Sequence, residues 1–265
     1  MIIVKIGGGA SINLPAIVAD LSTIQDSFII VHGGNALRDE LAVSLGYQKQ
    51  TLTSVSGHTS VFTDQKGLDI MLMAYAGLQN KRIVELCQKN GINAVGLTGL
   101  DGRLVQGRRN VGIRVRENGK TKVKHDYSGK PSQTNDLLFR ILLENKFVPV
   151  VTVPILDEEN NAINSENDDI VALIHRRLHA EKIIHLIEAP GLMRDPKDPT
   201  TTIETLTLQE LSSEELNING RMKRKLYAIK KILEHPPAHV VISDGRTEHP
   251  ILDAVHGVGT HIVAT

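Results

Sequence analysis

Short aliphatic and β-branched runs recur along the chain, at Ile2 to Ile6, Phe28 to Val31, Ile92 to Val95, Phe147 to Val153, Lys182 to Ile187, Ala238 to Ile242 and Thr260 to Val263. Most are apolar at nearly every position, which predicts strands buried on both faces. Between them, apolar residues return at helical spacing over Leu14 to Ile24, Ala36 to Leu45, Leu68 to Leu78, Asn80 to Asn90, Ser132 to Asn145, Asp168 to His179 and Met222 to Glu234. Strand then helix, repeated, predicts an α/β fold: a mostly parallel open sheet with helices on both faces, a three-layer αβα sandwich. Asn90-Gly91 and Pro236-Pro237 supply helix stops, and Ser132 supplies a start.

One stretch departs from this alternation. From Arg103 to Lys130, Val and Ile alternate with polar residues around Glu117-Asn118-Gly119, which predicts a protruding β-hairpin. It carries Arg103, Arg108, Arg109, Arg114, Arg116, Lys120, Lys122, Lys124 and Lys130 against Glu117 and Asp126. Either these cations solubilise an edge, or they meet something acidic.

The local excess matters because the whole chain is neutral, with 30 Lys+Arg against 30 Asp+Glu. Neutrality and 3% aromatic residues argue against nucleic acid as a partner. Hydrophobic residues make up 41% of the 265 positions, enough for a large core, and no apolar run approaches the roughly 20 residues of a membrane span. Cys87 is the single cysteine, which excludes an internal disulfide and fits a reducing, cytoplasmic setting. Its place on an apolar helix face predicts a core residue.

Two predicted strands run into glycines followed by helices: Lys5-Ile6-Gly7-Gly8-Gly9 and Val31-His32-Gly33-Gly34-Asn35. Glycine lets backbone N–H groups approach an anion, and a helix start adds positive potential, so the two loops can clasp one phosphoryl group. Neither loop has the dinucleotide or the P-loop spacing. A lysine inside a central strand is costly unless it meets an anion near the strand end, which singles out Lys5. A second cation cluster, Gly220-Arg221-Met222-Lys223-Arg224-Lys225, opens a predicted helix, and Asn164 to Asp169 opens another with carboxylates. An acid between two lysines can hold both in place. His32, closing a strand, is expected to be a packed, hydrogen-bonded residue rather than a catalyst.

In this order, VKIGGG, HGGN, TDQKGLDI, NKRIVELCQKNGINAVGLTGLDG, INSENDDIVALI, LIEAPGL and GRMKRKL resemble the amino acid kinase family over essentially the whole chain. GLDGRLVQGRRN, YSGKP and GRMKRK bring it nearest to the branch acting on 2-aminoadipate or glutamate attached to the acidic carrier protein LysW, with acetylglutamate kinases as relatives. The resemblance implies one kinase domain, with residues 1–178 as the acceptor and carrier lobe and 179–265 as the ATP lobe. It implies Lys5 and Lys225 as the lysines that stabilise the transferring phosphoryl group, and Asp168 as the aspartate orienting both. Gly8, Gly9, Gly33, Gly34, Glu188, Gly191, Gly220 and Met222 would hold ATP, with Mg²⁺ bound through its phosphates and not directly by the protein. Gly33, Gly34, Val61 and Asn164 would meet the acceptor, and Arg108, Arg109, Arg114, Arg116, Lys122 and Lys124 would dock the carrier. At least a homodimer is implied, for which Leu68 to Leu78 offers an apolar face.

Val61 stands where relatives carry the arginine that binds the acceptor's α-carboxylate. Either His58, Lys66 or Lys81 substitutes, or the acceptor differs. Asn35 and Glu188-Ala189 also depart from the common pattern without removing a phosphate contact. The alternatives are a kinase for a free N-acylated amino acid and a catalytically silent nucleotide or amino-acid sensor.

Overall fold

The computed structural model describes the chain except residues 54, 56–58, 118–119, 212–226, 228, 231, 234–238 and 264–265. The strands are β1 (Ile2–Ile6), β2 (Phe28–His32), β3 (Thr51–Thr53), β4 (Thr59–Val61), β5 (Ala94–Thr98), β6 (Val105–Arg109), β7 (Ile113–Glu117), β8 (Lys120–Lys124), β9 (Gly129–Thr134), β10 (Val148–Thr152), β11 (Ile155–Leu156), β12 (Ala162–Ile163), β13 (Lys182–Ile187), β14 (Thr205–Thr207), β15 (His239–Asp244) and β16 (Thr260–Val263). Helices α1 (Leu14–Leu21), α2 (Asn35–Ser44), α3 (Gln65–Met71), α4 (Asn80–Lys89), α5 (Asp136–Glu144) and α6 (Asn167–Leu178) pack around them, with a short helix at Pro250–Val255.

The central sheet has eight strands in the order β14-β16-β15-β13-β1-β2-β10-β5. All its pairings are parallel except β15 with β16. Its alternation divides the core in two. Ile3, Ile29, Val31, Val151 and Ile183 pack on one face with α3 and α6 residues such as Leu68, Ile170 and Ile174. Ile2, Val4, Ile30, Val150 and Ile184 pack on the other with Ile17, Ile83, Cys87 and Ile251. The expected sandwich is therefore present, and Cys87 is fully buried, with its thiol pushed up to about 12 by that burial.

Several local expectations are corrected. Ser132 lies in β9, and α5 starts later, capped by Asn135, whose side chain accepts from Leu138 N. The stretch from Arg103 to Lys130 is divided between two sheets: β6 and β9 join the four-stranded sheet β12-β11-β6-β9, and β7 pairs with β8 alone. Arg108 and Arg109 thus belong to a different sheet from Arg114, Arg116, Lys122 and Lys124, while the expected turn residues Asn118 and Gly119 lie outside the described residues. Residues Leu72–Gln79 form a π-helical segment that joins α3 to α4 without a break. In the segment offered as an interface, Leu68, Met71, Ala74 and Tyr75 are buried in the chain's own core, and Met73 and Leu78 are exposed. No described helix is long and apolar enough to cross a membrane.

Candidate active site

Period-two alternation places Lys5 on the same sheet face as Ile3, and His185 on the face of Ile183 and Ile187. These are one face, and the β1–β13 register sets Lys5 directly beside His185. Helix α6 packs on it, with Asp168 in its first turn. Asp168 Oδ1 lies 3.2 Å from Lys5 Nζ and 3.7 Å from His185 Nδ1. Lys5 is 8% exposed and His185 fully buried, so the ammonium is tolerated in the core because a carboxylate at a favourable helix start meets it.

The glycine loops lie beyond this pair. Gly33 N–H donates to Ile6 O, and Ala36 N–H donates to Gly8 O, both at 2.9 Å, so the loops are tied backbone to backbone. A Cβ on Gly8 would fall 2.5 Å from Gly34 N, and one on Gly34 would fall 3.1 Å from the Tyr75 ring. Only glycine permits this approach. Gly34 is the N-cap of α2, and no side chain caps it, so the helix start is open to an anion. Since the Gly33 N–H is spent on Ile6, Gly33 fastens the cradle.

Glu188 accepts from Ser11 N (2.9 Å) and Ser11 Oγ (2.6 Å), and these bonds hold its carboxyl below the usual range. A Cβ on Gly9 would land 1.9 Å from Glu188 Cδ, so Glu188 braces the first loop. Gly191 sits against β16, where Leu192 N–H donates to Thr260 Oγ1 at 2.8 Å. Gly220, Met222 and Lys225 lie outside the described residues, as does His58.

His32 behaves as a packed residue. Its Nδ1 lies 2.9 Å from Gly33 O and its Nε2 lies 3.1 Å from Asn80 Nδ2; these partners assign the proton to Nδ1 and make Nε2 the acceptor. Burial first, then Lys5 and Lys81, bring its pKa down to about 4 against a hydrogen bond to Gly33 that raises it. It is neutral at pH 7.

Around Asn164, its Nδ2 donates to Thr63 Oγ1 (3.1 Å), its N–H to Tyr127 O (2.7 Å), and Tyr127 N–H to Thr63 O (2.8 Å). Arg109 stacks on the Tyr127 ring at 4.3 Å and donates from Nε to Asp126 O. Val61 pairs with Thr51 across β3 and β4. Lys81 donates to Asn80 Oδ1 and Gly96 O, and Lys66 lies over the Tyr47 ring, so neither extends freely. Sequence reasoning missed His185, Tyr75 and Asn80. Only the parity of His185 with Lys5 signals the first, and it needs the β1–β13 register.

The chain belongs to the amino acid kinase family, which residues 1–243 match. It is a phosphotransferase. It is 40% identical to [LysW]-aminoadipate kinase of Thermus thermophilus over 266 residues, covering 98% of this chain and 99% of that one. It is 30% identical to acetylglutamate kinase of Methanosarcina barkeri, covering 99% and 84%. In structure it resembles N-acetylglutamate synthase from Neisseria gonorrhoeae complexed with coenzyme A and N-acetyl-glutamate, with TM-score 0.80 at 21% identity; the match covers 100% of this chain and 59% of that one, and shows the fold.

Proposed function

We propose that the protein transfers the γ-phosphoryl group of ATP to the side-chain carboxylate of 2-aminoadipate, or glutamate, held by its amino group on a small acidic carrier protein of the LysW type. The product is an acyl phosphate for lysine, or arginine and ornithine, biosynthesis in the cytoplasm. The observation that carries this reading is the buried Lys5, paired with Asp168, beside two glycine loops that admit no Cβ. The carrier-linked acceptor comes from the name of the 40% identical relative.

A carboxylate is already a nucleophile at pH 7, so the reaction needs no general base. The neutral His32, bonded at both ring nitrogens, fits that requirement. The barrier is met by positioning and by charge placed before the reaction begins. Lys5, held by Asp168, supplies one fixed cation, and Lys225 supplies the second. The loop backbone at Gly8 and Gly34 and the start of α2 receive the phosphoryl oxygens. Mg²⁺ carried by ATP would add further charge neutralisation. Residues 179–265 hold the nucleotide through Gly191, Gly220 and Met222, with Glu188 bracing the loop. Residues 1–178 hold acceptor and carrier, with Asn164 at the acceptor. Arg108, Arg114 and Arg116 are exposed, and with Arg109, Lys122 and Lys124 they form the carrier-facing surface. The working unit is at least a homodimer.

Purified protein, ATP, Mg²⁺ and loaded carrier should yield an acyl phosphate trapped as hydroxamate. Turnover should fall as NaCl is raised, because an acidic carrier docks on basic strands. Turnover of free N-acetylglutamate with none on either loaded carrier would replace this reading with the acetylglutamate kinase reading, which the 30% identical relative supports.

A further inference from the structure

We infer that Glu188 reads the metal on the nucleotide: its free carboxylate oxygen is a ligand, directly or through one water, for the divalent cation carried by the ATP phosphates, which makes the site selective for metal-bound over metal-free nucleotide. This rests on the ATP site proposed above and adds a protein contact to a cation expected to be held by the phosphates alone.

The β1–β13 register sets Ile6 beside Leu186, so Glu188, one residue past β13, lies level with the glycines that follow β1. The backbone joins the two segments there, with Gly7 N–H donating to Leu186 O at 2.9 Å. Beyond that bond, the N–H groups of Gly8, Gly9 and Ala10 donate to nothing among the described residues, which leaves a run of donors for phosphate oxygens. The Glu188 carboxyl lies against this loop, in the place that a Cβ on Gly9 would need. Ser11 N–H and Ser11 Oγ both donate to one oxygen, Oε1, at 2.9 and 2.6 Å. Oε2 accepts from no described residue. The Ser11 bonds hold the carboxyl below the usual range, so it is charged at pH 7.

Among the described residues, Arg246 is the cation that acts on Glu188, and its Nε and Nη2 are taken by Asp244 at 2.8 and 2.7 Å. Two carboxylates therefore face one guanidinium beside a loop whose amides are free for phosphate. A phosphate chain on those amides meets a fixed like charge, a cost that a divalent cation between the two removes. The oxygen suits Mg²⁺, a hard cation held in nucleotide sites by one or two carboxylates together with phosphates and water. No three His, Cys, Asp or Glu side chains among the described residues gather into a metal cage, so the remaining ligands would come from nucleotide and water.

The test is calorimetric titration of the non-hydrolysable analogue AMP-PNP, in MgCl₂ or in EDTA, into wild type, Glu188→Gln and Ser11→Ala. Glu188→Gln keeps an oxygen for the Ser11 donors and removes the charge. The ratio of metal-free to metal-bound Kd should be about tenfold smaller in Glu188→Gln than in wild type. Ser11→Ala loosens the loop and keeps the charge, so its ratio should stay within twofold of wild type even where both Kd values rise. By reciprocity, Mn²⁺ should bind the AMP-PNP complex of Glu188→Gln about tenfold more weakly than that of wild type, read from the EPR signal of free Mn²⁺. A ratio in Glu188→Gln within twofold of wild type, or one that falls as far in Ser11→Ala, would overturn the inference and leave the ATP site standing. Absence of AMP-PNP binding to wild type in both conditions would remove the ATP reading, and this inference with it.

Discussion

Two polar insertions interrupt the apolar sheet, one on each face, and they differ in kind. On one face His32 is enclosed with a partner at each ring nitrogen, and burial keeps it neutral. On the other, Lys5 carries charge into the core and meets Asp168 beside His185. His32 and Asn80 are buried, and so are Lys5 and His185, so burial alone does not mark chemistry. What separates them is charge: His32 closes its hydrogen bonds with neutral groups, whereas Lys5 carries an ammonium, paired with Asp168, on the strand that leads into the first glycine loop.

The sharpest way to break this contrast is Lys5→Met, which keeps the stem and removes the charge. Turnover by hydroxamate trapping should fall by roughly a thousandfold, and retention of a tenth of the activity would remove Lys5 from the clamp. Gly8→Ala should follow with a loss of about a hundredfold, since a Cβ 2.5 Å from Gly34 N forces the loops apart. Gly77→Ala is its control, because the nearest atom there is 3.6 Å away, and its Tm and kcat should be nearly unchanged. His185→Leu should lower kcat about tenfold with KM for both substrates within twofold, the pattern expected of a ring that adjoins Asp168 at 3.7 Å and not the substrates.

The smallest kinetic effect is expected on the opposite face, where His32→Gln should leave kcat within twofold. There the consequence is for stability against pH. The folded-state pKa of about 4 lies below the ordinary 6.5, so the unfolded chain binds the extra proton in between. The contribution of His32 is fully present above pH 6.5 and is lost as pH falls toward 4, to the extent of roughly 3 kcal/mol. Urea melts at pH 7.5 and pH 5 should show about 2 kcal/mol of this loss in wild type and a flatter dependence in His32→Gln. Equal slopes would assign the acid sensitivity to other groups.

The large strands were legible because being covered on both faces makes a run such as Phe28 to Val31 apolar at every position. β14 was not: its three residues, Thr205-Leu206-Thr207, are too few to show a period, and pairing with β16 alone defines them. Ser132 and Asn135 are both plausible caps in isolation, and only the pairing of β9 with β6 decides for the later one. Lys5 and Asp168 were legible as charges out of place in apolar or helix-start contexts. His185 was not, since a histidine in a strand is ordinary until the register shows what it adjoins.

The joined helix from Gln65 to Lys89 gives one feature a wider meaning. Its first part packs Leu68, Met71 and Tyr75 on one side of the sheet, and its last part packs Ile83 and Cys87 on the other. The wide turn at Leu72–Gln79 lies where that change of side occurs. Each residue of a regular helix advances about 100°, so the spacing between Tyr75 and Asn80 acts as a fixed gear between two layers. Deleting one residue there, such as Gly77, should turn Asn80 off His32 while Tyr75 stays under Gly34, uncoupling the second glycine loop from the strand that carries it.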